Sequence, residues 1–155
     1  MKILRIAVLV TIVLAVVLAV AAPLGPVPGF FIGGTATAAP AQWPDTSNTD
    51  EIRLKVPDTL PRVVIIWVID HAGELYVAGS KDSGWVQMIG DGAPVEMRLG
   101  DATYALTATP VTSGWQPVLA AYVDKYRPGY PEIVDGFPPV EEAEGFIGVF
   151  RLNRT

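Results

Sequence analysis

Arg62-Val63-Val64-Ile65-Ile66-Trp67-Val68-Ile69-Asp70 is the stretch that decides the fold. Its seven consecutive apolar residues, β-branched except for one tryptophan, are too few for a typical helix and suit a strand buried on both faces. Asp70-His71-Ala72-Gly73 carries turn chemistry, and Glu74 to Gly79 returns through Leu75-Tyr76-Val77, so the two runs predict an antiparallel hairpin. Upstream, Ile52, Leu54 and Val56 alternate with Arg53 and Lys55, the period of a strand with one buried face, and Pro57 ends it. Downstream, Val95, Met97 and Leu99 alternate with Glu96 and Arg98. Across Gly100-Asp101, Tyr104, Leu106 and Ala108 then alternate with Thr103, Thr107 and Thr109, a second hairpin. Gly145 to Leu152 predicts the last strand.

Two helices interrupt the strands. Trp85-Val86-Gln87-Met88-Ile89 has the apolar spacing of one or two helical turns capped by Asp82 or Ser83. Ser113 is the expected N-cap of a longer helix through Trp115, Val118, Leu119, Tyr122 and Tyr126, which Pro128-Gly129 stops. The proline-rich, acidic stretch from Pro131 to Glu144 is expected to wrap the surface as a loop. The fold class that follows is mainly β with minor α: six antiparallel strands curled into a barrel, because closure protects the edges, with one short and one longer helix.

The N-terminus has a different composition. After Lys2 and Arg5 come seventeen residues, Ile6 to Ala22, in which Thr11 is the only polar side chain. A helix apolar on every side favours lipid, and at about 1.5 Å per residue this one reaches roughly 26 Å, a little under the bilayer core of about 30 Å. The expectation is a transmembrane helix ended by Pro23, Pro26 and Pro28. The two cations would stay on the cytoplasmic side, with the following domain periplasmic or extracellular. The alternative is a secretory signal cleaved at Ala19-Val20-Ala21 or Ala36-Thr37-Ala38, where small residues have the required spacing. From Gly33 to Asp50 the chain is rich in Gly, Thr, Ala, Pro and Ser. The expected organisation is therefore an anchor or signal over residues 1–32, a flexible linker over 33–50 and a barrel domain over 51–155.

Charge and composition exclude several functions. The 155 residues carry 11 basic and 16 acidic side chains, and all sixteen acidic groups follow residue 40. A surface of that sign does not attract nucleic acid. With no cysteine, disulfides, thiolate metal sites and thiol catalysis are ruled out. His71 is the sole histidine and lies in a turn, so an imidazole metal pair is excluded, and Glu141, Glu142 and Glu144 read as a solvated acidic loop. No metal site is expected.

The stretch Ala78-Gly79-Ser80-Lys81-Asp82-Ser83-Gly84-Trp85 is more informative. Hydroxyls, one cation and the first amides of a helix converge where a buried strand ends, an arrangement that favours anions. Trp67 and Trp85 offer flat apolar walls for an aromatic ring. On motif strength alone the stretch reads first as an ordinary capped loop over two core tryptophans, and second as an anion site.

Several words in order then become familiar: Val64-Ile65-Ile66-Trp67-Val68, Gly73-Glu74-Leu75-Tyr76-Val77, Ser83-Gly84-Trp85, Ala120-Ala121-Tyr122-Val123-Asp124-Lys125-Tyr126 and Phe150-Arg151-Leu152. Together they resemble the split β-barrel superfamily of pyridoxamine-phosphate-oxidase-like flavin-binding proteins, near its deazaflavin-dependent nitroreductase-like branch, over about residues 51 to 154. The resemblance implies a barrel that is often a homodimer and holds FMN or a deazaflavin. It also implies that Ser80, Lys81 and Ser83 meet the cofactor phosphate, with Trp85 opening the short helix beside it and Trp67 on the strand behind the ring. The basic Gly-Arg-Lys-Ser-Gly word of deazaflavin enzymes is missing, and Met88-Ile89 stands where Asn-Leu often follows. The function implied is a membrane-anchored, flavin-dependent oxidoreductase. A non-enzymatic binding or interaction module on the same barrel is the alternative.

Overall fold

The computed structural model describes residues 2–21, 29–59 and 62–155. Helix α1 (Lys2–Ala21) presents apolar side chains from Ile3 to Val17 to the exterior. Among the described residues no helix is long and apolar enough to cross a membrane, so the transmembrane helix expected over Ile6 to Ala22 is not supported. Ala22, and the prolines at 23, 26 and 28 expected to end that helix, lie outside the described residues.

Eight strands follow: β1 (Thr35–Ala36), β2 (Glu51–Val56), β3 (Arg62–Trp67), β4 (Ile69–His71), β5 (Glu74–Ser80), β6 (Ala93–Leu99), β7 (Ala102–Pro110) and β8 (Ile147–Arg154). They form one sheet in the order β3-β2-β6-β7-β8-β5-β4, antiparallel throughout, with β1 added in parallel to β7. The first and last strands of that path, β3 and β4, are neighbours in sequence, separated by Val68 alone. A sheet whose two ends are consecutive in the chain must curl around on itself. Inside the curl Leu54, Val56, Val77, Met97, Leu106 and Leu152 are completely or almost completely buried.

The expected count of six strands therefore becomes eight, for two reasons. The continuous β-branched run breaks at Val68, because side chains far away in sequence capture its backbone: the Tyr126 hydroxyl accepts from the Val68 N–H at 2.9 Å, and the Lys125 ammonium donates to its carbonyl at 2.8 Å. Only Ile69–His71 then pairs with β5, through a two-residue turn in which Ala72 (φ 55°) and Gly73 (φ 81°) are both left-handed, the twist that suits a tight hairpin.

The other addition lies in the expected linker. Thr35 and Ala36 pair with Ala102 and Thr103, and ahead of them Gly29, within the segment expected as anchor, exchanges two backbone hydrogen bonds with Val63, at 2.8 and 2.9 Å. Trp43 is buried, its indole edge-on to Tyr104 at 5.3 Å and capped by the Arg154 guanidinium 4.9 Å from the ring. The Lys125 ammonium also collects the carbonyls of Thr46 and Thr49 at 2.9 and 2.8 Å. Residues 33–50 thus pack against the sheet at several points instead of swinging free.

Helix α2 (Gly84–Ile89) stands where it was expected, with Ser83 in the capping position. Helix α3 (Gln116–Tyr126) begins later than Ser113 predicts: Gly114 takes φ 67°, Trp115 is the N-cap, and Pro117 supplies a preset φ in the first turn. The stretch expected as a loop holds helix α4 (Pro131–Val134) and a 3-10 turn at Ala143–Gly145. A second apolar cluster joins Val118, Leu119, Tyr122 and Tyr126 of α3 to Ile69 of β4 and Val149 of β8, outside the curl.

Candidate functional site

Strands β3 and β5 come together at the end where the sheet closes, but no backbone ladder joins them. A tyrosine of α3 bridges the gap instead, and a second one fixes Val68 just beyond β3. The Tyr122 hydroxyl donates to the Trp67 carbonyl on β3 and accepts from the Ala78 N–H on β5 at 3.3 Å. One turn on, the Tyr126 hydroxyl accepts from Val68 and lies 2.7 Å from the carbonyls of both Val68 and Asp50. Burial pushes both phenols above the usual tyrosine range, so they stay protonated and keep donating. Burial also lowers the Lys125 ammonium from its ordinary value, opposed by the charges of Asp50 and Asp45.

Above this stitched seam lies a cleft of about 860 Å³. Its floor is Ile65, Ile66 and Trp67 of β3 with Ala78, Gly79 and Ser80 of β5, and Leu119 and Tyr122 close its base. The opposite wall comes from the acidic proline-rich stretch through Ile133, Phe137, Pro138, Pro139 and Phe146. Two carboxylates, Glu51 and Glu142, also line it, and both residues are exposed. Among the described lining residues there is no lysine, arginine or histidine.

Trp67 is half-buried and belongs to the cleft, outside the barrel interior where the sequence places it. Its position is fixed from behind by Tyr126, stacked on it at 4.1 Å with the planes 7° apart, and at the side by Tyr130 at 5.1 Å. Trp85 is buried, with its indole seated on the backbone of Gly79, where any side-chain carbon would collide with it. That contact explains the glycine and sets Trp85 as the second aromatic wall.

The expected site residues therefore divide. Trp67, Trp85 and Ser80 come together on the cleft. Lys81 and Ser83 do not. The Ser83 hydroxyl turns back to donate to the Ser80 carbonyl at 2.7 Å, making no side-chain bond to the helix it precedes. The Lys81 ammonium donates to the Glu144 carbonyl and faces a separate, smaller cavity. The Ser80 hydroxyl accepts from the Asp82 N–H at 3.3 Å. Sequence reasoning missed the far wall. Its signal was present in Ile133 and Phe137, apolar side chains in the stretch expected as a surface loop, and in Phe146, expected in the last strand but lying just before it.

A curled antiparallel sheet, unbonded between two strands and opening there into an aromatic-walled cleft, gives the chain a split β-barrel fold. No family model matches the sequence, and no curated protein matches it. Among solved structures, the FAD and heme binding protein from Mycobacterium smegmatis has a TM-score of 0.51 at 15% identity, over 70% of this chain and 62% of that one. The chain thus spans less than two thirds of that neighbour. HutZ, the heme storage protein from Vibrio cholerae, has a TM-score of 0.48 at 15% identity, over 70% of this chain and 84% of that one. A NimC/NimA family protein from Clostridium acetobutylicum has 0.47 at 14% identity, over 66% and 73%. At these identities the likeness is one of fold.

Proposed function

We propose that this split barrel binds a planar heterocyclic ligand of the flavin class in the cleft between β3 and the Pro131–Phe146 stretch. The carrying observation is the pair of braced tryptophans: Trp67 backed by Tyr126 and Trp85 seated on Gly79 make two flat walls whose orientation is fixed before any ligand arrives. The apolar lining suits a ring system, and the Ser80 hydroxyl offers a hydrogen bond at its rim. A bound FMN or deazaflavin would supply electron or hydride transfer, to which the protein contributes orientation and exclusion of water.

The residues fit the ring better than they fit a phosphate. Lys81 and Ser83, assigned to the phosphate by resemblance, have their polar atoms engaged outside the cleft. Haem is the second ligand, named for the Mycobacterium smegmatis neighbour. It is disfavoured because the only histidine, His71, is at the β4 end beside Tyr76, and the cleft lining holds no methionine either. A binding module without catalysis uses the same walls, and turnover separates it from an oxidoreductase.

Titrating the full chain with riboflavin, FMN, a deazaflavin and haem tests this reading. The expected result is saturable quenching of tryptophan fluorescence by at least one flavin ring, weakened at least tenfold by Trp67→Ala. Indifference to every flavin defeats it.

The exposed apolar surface of α1 is proposed to associate with lipid. Flotation of the full chain with liposomes, lost on placing two aspartates between Leu9 and Val13, is the expected outcome.

A further inference from the structure

We infer that the cleft selects planar ligands carrying no negative charge, uncharged or cationic rings in preference to phosphate esters; this rests on the ring-binding reading above and specifies its ligand. Every charged side chain lining the cleft is a carboxylate: Glu51 at the start of β2 and Glu142 on the facing wall. Two cations of neighbouring segments are engaged elsewhere. Lys81 is anchored to the Glu144 carbonyl, and the Arg62 guanidinium packs against Gly84, which is not on the cleft wall.

An aromatic wall has a negative face, so Trp67 and Trp85 favour a cation and give an anion nothing. Carboxylates on two facing walls raise the cost of bringing a phosphate of roughly −1.5 to −2 charge between them. The ring itself meets no such penalty. The aromatic walls and the carboxylates therefore act in the same direction: hold a flat ring, repel an anionic tail.

Riboflavin and FMN share one ring and differ by the phosphate, which makes them the decisive pair. At low salt the full chain is expected to bind riboflavin at least about threefold more tightly than FMN, with the ratio shrinking as salt screens the carboxylates. In the E51Q/E142Q double variant the riboflavin-to-FMN preference should fall toward unity, and the variant's circular dichroism should match the parent's. FMN binding equal to or tighter than riboflavin overturns the inference and leaves the ring reading standing. A ratio unmoved by salt or by the double variant removes the two glutamates from the selection. If neither flavin binds, the ring reading and the inference fall together.

Discussion

The barrel's two sides are built by different means. Across β6, β7 and β8 the backbone ladder is continuous, with seven paired positions from Ala93↔Ala108 to Leu99↔Ala102 and five more between β7 and β8. Inside that arc the space is filled by Met97, Leu106, Ala108 and Leu152. Between β3 and β5 there is no ladder; the Tyr122 hydroxyl joins them, while the Tyr126 hydroxyl and the Lys125 ammonium tie Val68 to the residues before β2. A ladder holds strands about 5 Å apart and leaves room only for side chains of the core. Side-chain bridges from an external helix hold them further apart, and the cleft opens there. The binding site is thus a product of where the sheet stops being bonded to itself.

The largest expected effect falls on the laddered side. Leu54→Ala empties a fully buried position and should cost about 2–5 kcal/mol in chemical denaturation, while riboflavin affinity measured below the transition stays unchanged. A parallel loss of affinity would mean that the two sides are not independent. On the seam, Tyr126→Phe leaves the buried Val68 N–H without its acceptor and should cost about 1–3 kcal/mol, with Tyr122→Phe costing less because its Ala78 bond is longer. Tyr122→Phe, unlike Leu54→Ala, is expected to lower ligand affinity by freeing β3 from β5.

Alkaline titration sharpens the same contrast. Both seam phenols have folded pKa values raised above the ordinary 10.0 by burial. Their contribution is complete below pH 10 and declines as the pH climbs past it, because the unfolded chain releases the protons first. The Tyr122→Phe/Tyr126→Phe double variant should begin less stable and lose less between pH 10 and the folded values; identical slopes would place the alkaline loss elsewhere. The smallest effect is on the hairpin turn. Ala72 is the one non-glycine residue at positive φ among the described residues, and Ala72→Asn should raise stability by about 0.5–1 kcal/mol without altering the cleft.

Most of the strands were legible because their period is local: Val95-Met97-Leu99 and Tyr104-Leu106-Ala108 declare their buried face within seven residues. The break at Val68 was not, since a valine within a β-branched run gives no local sign that Tyr126, 58 positions later, will take its N–H. The same distance hid the role of residues 33–50, although Trp43, the lone aromatic of that stretch, was a hint that it packs. Helix α4 had a readable start, proline in the first turn followed by Glu132, that the acidic composition around it masked. Of the residues expected at a site, Trp67, Trp85 and Ser80 line the cleft. The reach of Lys81 to the Glu144 carbonyl had no local sign, because it depends on how the chain returns 63 residues later.

The pairing of Gly29 with Val63 has a consequence for how the protein behaves in concentrated solution. Strand β3 starts the sheet, and its outward N–H and C=O groups are the kind of row on which a foreign strand can template itself. Two reciprocal bonds from Gly29 cover that row at Val63. Chains shortened past this residue should keep their barrel yet self-associate more readily, making the residues before the first long strand a built-in guard against fibre growth.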